Sequence, residues 1–269
     1  MSFLQNRTSA AREGIGKPVP RKEDARLLQG KGCYGDDFNL PQQAYMSVVR
    51  SPHAHAKVRS IAIEDALGMP GVLAVLTGRD AVQDGLKPIP YRPISPNPHE
   101  VQLKPKFLAP CPPLPADEAS FVGHAVALVI AETLVAAKDA AERVVVEYEP
   151  LPAVTVAADA AKLEAQVCVD STVGDAAAVT EAFRRAAHVI TLETTLNRVT
   201  GVPMEPRAAL GVFDGGRYTV YGSTGGVHRQ RAEIAGALGV SEDAVRVVTR
   251  DLGGNYGARN NLYPEFALV

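Results

Sequence analysis

Tryptophan is absent from the 269 residues, and cysteine occurs three times, at Cys33, Cys111 and Cys168. The three are widely scattered and form no CxxC pair, so neither an iron–sulfur cluster nor structural zinc is expected within this chain. Buried or free thiols account for them. Charge of one dominant sign is missing too: 28 Lys and Arg stand against 30 Asp and Glu, a net charge of −2. With no global field to attract nucleic acid or an acidic membrane, a small or neutral ligand is the better match. Long apolar runs are also lacking. The longest, 125–131, is interrupted at Glu132, far below the roughly 20 residues that span a bilayer, so no transmembrane helix is expected. The opening MSFLQNRTSAAREG has no apolar stretch of the kind a secretory signal needs, which makes the cytoplasm the expected location.

What is present is ordinary for a globular protein: 46% hydrophobic and 22% charged residues, in a length that allows one or two domains. Strands are expected over 44–49 and 58–63, as a unit joined by the turn-rich SPHAHA. A short helix from Glu64 stops at Pro70-Gly71, and a strand follows over 72–76. The run AVALVIA, 125–131, predicts a buried strand. Thr133 can cap a helix whose stripe is Ala136, Ala137, Ala140, Ala141 and Val144, and VVVEYE over 144–149 follows as a strand, completing a β-α-β unit. Between these units, ten of the 20 prolines crowd into 88–115, which predicts a long irregular, solvent-exposed excursion. Beyond an alanine-rich connection near 154–166 come a helix over 175–187 and a strand over 189–195. A hairpin over 211–221 turns at Asp214-Gly215-Gly216, a helix from His228 is closed by Gly239, and a strand occupies the segment 245–249.

Three segments carry candidate chemistry. The strand at 245–249 runs into RDLGGNYGAR, after which Pro264-Glu265 begins a helix. Glycines let backbone amides approach a ligand, and a helix N-terminus favours anionic groups, so an anion or oxo-group cradle is one reading and a tight turn the other. The spacing of this loop is neither GxGxxG nor that of a P-loop. Met204-Glu205-Pro206-Arg207 is polar in an apolar neighbourhood, which an ion pair through Glu205 or Arg207 explains. His53 and His55, two apart, could chelate a metal from one strand face, but no third ligand lies nearby and a structural role is favoured, as it is for His124.

Four segments, PVPRKEDARLLQGKGCYGDD, RSPHAHAKVRSI, GVLAVLTGRD and VGHAVALVIAE, together resemble the α/β-hammerhead domain of the xanthine dehydrogenase/aldehyde oxidase family of molybdenum hydroxylases. Among its members the chain looks most like large subunits of the aerobic carbon monoxide dehydrogenase type. NRVTGVPMEPRAALG, GSTGGVHRQR and VRVVTRDLGGNYGARNNLYPE are similar to the opening of that family's molybdopterin-binding domain. The resemblance implies an α+β chain: an N-terminal extension over 1–26, the hammerhead domain over 27–153, a connecting segment over 154–187 and the start of the molybdopterin-binding domain over 188–269.

It further implies a molybdopterin-type cofactor bound near Gly254, Asn255, Tyr256, Gly257, Ala258 and Gly225, with Tyr256 lining a substrate pocket. Iron–sulfur and FAD groups would sit on partner subunits. The implied reaction is oxidative hydroxylation of a small aldehyde, N-heterocycle or related substrate with water-derived oxygen. The family's general base is expected outside this chain, in a polypeptide supplying the rest of the domain, so the chain alone is expected to be inactive. Four departures stand out. The family's Ser-Thr-Gln is Ser223-Thr224-Gly225 here, without the glutamine amide; a loop glycine is Asn255; the loop phenylalanine is Tyr256; and the glutamate of purine-hydroxylating members is Asn260, which disfavours purines. The first of these supports a rival expectation, a non-catalytic assembly subunit that kept the fold.

Overall fold

A computed structural model describes residues 20–90, 107–160, 162–163, 168–170 and 173–269. Along the chain run α1 (Asp24–Leu27), β1 (Tyr45–Arg50), β2 (Ala56–Ala62), α2 (Glu64–Leu67), β3 (Val72–Thr77), α3 (Gly78–Gln83), β4 (Glu118–Ala119), β5 (Ala125–Ala131) and α4 (Leu134–Ala141). There follow β6 (Val145–Pro150), α5 (Ala157–Ala160), α6 (Ala176–Arg185), β7 (Ala209–Asp214), β8 (Arg217–Gly222), α7 (Val227–Leu238), β9 (Val245–Val248) and α8 (Pro264–Leu268). Helices and strands mix as an α+β chain.

The apolar run at 125–131 has no polar face, and its strand takes the central place. β5 lies between β1 and β3, antiparallel to both. On one side Ala127 and Val129 pack with Ala66, Ala140 and Val144; on the other Leu128 packs with Ala81 and Leu114. A second sheet sets β2 between β4 and β6. Two sequence expectations are thereby corrected. β1 and β2 do not pair, and β5-α4-β6 is not a parallel crossover, because its two strands belong to different sheets and α4 carries the chain between them. The cause is that β5, apolar throughout, claims β1 and β3 as edges, while β2, exposed at several positions, pairs with β4 and β6. The capping expectation holds: the Thr133 side chain accepts the Ala136 amide at 3.1 Å, and Ala137 and Ala140 are buried.

Much of the proline-rich stretch, 91–106, lies outside the described residues. Its end is not an exposed excursion, for Leu114 is buried in the core and a side chain on Gly78 would strike the Pro115 carbonyl at 2.1 Å. Proline without a free amide can enter a core at low cost, having no donor to satisfy.

The later part holds a three-stranded sheet, β7-β8-β9, antiparallel in the hairpin and parallel between β8 and β9. Gly215 and Gly216 make the hairpin turn, both at positive φ (55° and 80°), as a two-residue turn of this hand demands. Ile234, Ala235 and Ala237 of α7 pack with Val220, Val245 and Phe266. Gly239, left-handed at φ 68°, ends α7 as expected. The strand expected over 189–195 is not formed; residues 188–203 have no regular structure, and Ile190 is 94% exposed. A strand exists only beside a partner edge, and no described strand runs alongside it.

The two parts meet closely. The Lys87 amide donates to the Ala237 carbonyl at 2.7 Å, Leu268 packs against the cluster of Ala81, Leu114 and Leu128, and the Arg50 guanidinium pairs with Glu265.

Candidate functional site

The glycine-rich loop leaves β9 at Val248, one residue earlier than expected, and turns through 251–261 before α8 begins at Pro264. It therefore does not sit at the N-terminus of α8. The residues between are held by a buried carboxylate and a buried guanidinium. Arg259, 3% exposed, donates from Nε to the Gly254 carbonyl at 2.8 Å and from Nη1 to Ser223 Oγ at 2.5 Å. Its Nη2 donates to the Glu205 carbonyl and lies 3.3 Å from Glu205 Oε2. Glu205 in turn accepts the Gly253 amide at Oε2 (2.7 Å) and the Gly35 amide at Oε1 (2.8 Å). Buried charges are tolerated only when paired and hydrogen-bonded, and here both conditions are met.

Glu205 therefore does form an ion pair, though with Arg259, 54 positions away, rather than with Arg207. The latter lies over the Tyr263 ring, 3.7 Å from its centroid.

What this frame holds in place is a run of open backbone donors. Among the described residues no hydrogen-bond acceptor takes the amides of Gly254, Asn255, Tyr256 or Gly257. Gly254 (φ 108°) and Gly257 (φ 86°) adopt conformations that favour glycine, and Tyr256 shares that hand at φ 50°. Successive free amides of this kind can receive an electron-rich group. A side chain on Gly257 would meet nothing within 4 Å, so the constraint there is its φ and not crowding.

Gly225 stands beside the loop, its amide donating to the Arg259 carbonyl at 3.1 Å. Ala258 closes the turn by donating to the Asn255 carbonyl at 2.9 Å. Tyr256 is 81% exposed and lines neither of two clefts, one beside the loop and one near His55. The larger cleft, about 770 Å³, lies between the two parts and touches the loop only at Ala258 and Arg259.

A third tie fixes the root of the loop. Asp251 accepts Arg26 Nη1 and Nη2 at 2.7 and 2.6 Å and the Cys33 amide at 2.8 Å, and the Arg26 guanidinium, helped by that amide, holds its carboxyl at about 2. The early segment containing α1 is thus bound to the loop.

Three histidines, His53, His55 and His124, play structural parts. His55 Nδ1 lies 2.8 Å from the Pro152 carbonyl and Nε2 2.8 Å from Glu118, two acceptors that together require the doubly protonated ring; its pKa is raised, first by the Pro152 carbonyl and then by Glu118. His53 packs on Tyr148, and His124 is buried, accepting the Ser120 amide at Nδ1, its pKa lowered by burial. Among the described residues no group of His, Cys, Asp and Glu could hold a metal ion. Sequence reasoning missed Arg259, Ser223, Arg26, Asp251 and Gly35. Only Asp251 and Arg259, flanking the glycines, carried a local hint.

Comparison with known proteins gives these features a family. Residues 29–152 match the aldehyde oxidase and xanthine dehydrogenase a/b hammerhead domain, and residues 160–269 match the molybdopterin cofactor-binding domain. The 6-hydroxypseudooxynicotine dehydrogenase complex subunit gamma of Paenarthrobacter nicotinovorans is 34% identical, over 93% of this chain and 32% of its own length. The carbon monoxide dehydrogenase large chain of Hydrogenophaga pseudoflava is 33% identical, over 91% of this chain and 32% of its own. Among solved structures, quinoline 2-oxidoreductase from Pseudomonas putida 86 superposes with a TM-score of 0.77 at 30% identity, covering 95% of this chain and 32% of that one. The chain spans about a third of the length of these relatives. With both domain types present in order, it belongs to the xanthine dehydrogenase/aldehyde oxidase family.

Proposed function

We propose that this chain is part of the molybdenum-cofactor-binding subunit of an oxidoreductase that hydroxylates a small aldehyde, N-heterocycle or related substrate with water-derived oxygen. In this reading a further polypeptide completes the cofactor domain and provides the general base, iron–sulfur and FAD subunits carry electrons away, and the assembly is cytoplasmic. We divide the chain as an extension (1–26), hammerhead (27–153), connection (154–187) and cofactor-domain start (188–269). The observation that carries the reading is the run of four free amides at 254–257 on a frame set by Glu205 and Arg259. The printed names of the relatives, which act on nicotine derivatives, carbon monoxide and quinoline, support a small substrate.

The donor set fits the group: uncommitted amides suit electron-rich ligands. When bound, the molybdenum–pterin group supplies oxygen transfer and the acceptance of two electrons. The chain's own contribution is positional. Gly254 and Gly257 let the backbone turn so that the amides stay free, and Arg259 fixes that turn from behind through the Gly254 carbonyl. Donors held in advance of the reaction need no reorganisation during it.

The test is Gly257→Val in the complex purified from its native source, with all copurifying chains identified. Strain at φ 86° would displace the amides, and losing one such donor costs about 10²–10³ in rate. Turnover should fall by that order while the hammerhead remains folded by circular dichroism. Near-normal turnover would place the loop away from the metal. Gly225, which brings no side-chain donor, favours the rival of a non-catalytic assembly subunit, and a native complex with neither molybdenum nor turnover would establish it.

A further inference from the structure

Gly225 and Asn255 are coupled by space. A Cβ built on Gly225 would lie 2.4 Å from Asn255 Nδ2 and 2.9 Å from Asn260 Oδ1. The volume beside residue 225 is therefore filled by a pair of side-chain amides contributed by the loop, and a longer residue at 225 would require the Asn255 and Asn260 side chains to shift. The orientation of Asn255 is determined by its partners. The Arg259 amide donates to Oδ1 at 2.9 Å, so Nδ2 must point the other way, where it donates one hydrogen to Asn260 Oδ1 at 2.8 Å. One N–H of Asn255 and both of Asn260 then have no acceptor among the described residues. These donors belong to the same turn as the four free backbone amides.

We propose that Asn255 is a cofactor-binding residue of this protein, supplying from the glycine loop, with Asn260 as its brace, the side-chain amide donor that position 225 does not provide. The amide has moved across the site, and glycine at 225 is what makes room for it. The two residues are coupled: a side chain at 225 would displace the Asn255 amide from its present place. Asn255 also stiffens the loop, since it accepts the Arg259 amide at Oδ1 and the Ala258 amide at its own carbonyl.

The proposal rests on the cofactor reading above, and its test separates the two. In the chain itself, Gly225→Gln should lower the melting temperature, and adding Asn255→Gly should restore it, because the clash is removed. In the native complex, Asn255→Asp keeps the acceptor for the Arg259 amide but removes the donor and turns an anion toward the cradle. Molybdenum and pterin retained per complex after dialysis should fall about 10- to 100-fold, the usual range for loss of a supporting contact at a metal site, with the melting temperature of the chain unchanged. The double variant Gly225→Gln with Asn255→Gly should retain more cofactor than Asn255→Gly alone. Parent-like retention in Asn255→Asp, or a Gly225→Gln chain that melts like the parent, overturns the proposal while leaving the cofactor reading intact. A parent complex without molybdenum overturns both.

Discussion

Glu205 shows how much one side chain can organise. Its two carboxylate oxygens take the amides of Gly35 and Gly253, one from the first part of the chain and one from the loop, and its charge offsets the fully enclosed Arg259. Removing it strands a buried guanidinium and two amides at once. Glu205→Ala should therefore destabilise the chain by about 3–5 kcal/mol, the range for breaking a buried pair on one side. Arg207→Ala, which removes only an exposed contact with Tyr263, should cost under about 1 kcal/mol. Urea unfolding of both variants measures the contrast, and equal effects would mean that the buried frame does not govern stability. At this scale the sequence showed a polar MEPR in apolar surroundings and so pointed to Glu205. Arg259 as its partner was not legible, because a separation of 54 positions carries no periodic signal.

Between elements, the tie of α1 to the root of the loop has a definite pH signature. Asp251 titrates at about 2 in the folded chain, below its ordinary 3.8, chiefly because it accepts Arg26 and then the Cys33 amide. A depressed folded-state pKa contributes stability that is complete above the unfolded value and is lost as pH falls through the folded one. The stability difference between the parent and Asp251→Asn should thus be constant from pH 6 to about 4 and close as pH approaches 2. Urea titrations along that series test it; a difference that persists unchanged at pH 2 would assign the effect to shape and not to charge. Local elements such as α4 with its Thr133 cap, the Gly215-Gly216 hairpin and the Gly239 stop were legible from short-range chemistry. Which strands would pair was not. β1 and β2 are neighbours in sequence and look like a unit, yet they lie in different sheets because β5 needs both of its own edges covered.

Across the whole molecule, three scattered cysteines offer no iron–sulfur cluster framework. The proposed function predicts that the purified chain shows no visible absorption from iron–sulfur or flavin, holds no molybdenum and turns over no aldehyde, while these signals appear with the proposed partner subunits. Absorption spectra and metal analysis of the single chain and of the native complex decide this, and stoichiometric molybdenum with turnover in the chain alone would refute it. The exposed apolar residues of 188–203, among them Ile190, Leu192, Leu196 and Val199, fit the same view, since surfaces of this kind usually mark contacts with other polypeptide.

By itself the sequence determined the α+β mixture, the short-range caps and turns, and the family, because each depends on residues close together or on several motifs in order. The glycine loop was likewise apparent as a loop with a choice of meanings. Only the tertiary structure decided that its amides remain free, that Glu205 and Arg259 hold it from behind, and that Asn255 fills the space beside Gly225. Those facts depend on residues tens of positions apart arriving within about 3 Å of one another, and hydrogen-bond satisfaction in a buried site selects such partners by geometry, which the order of residues along a chain does not display.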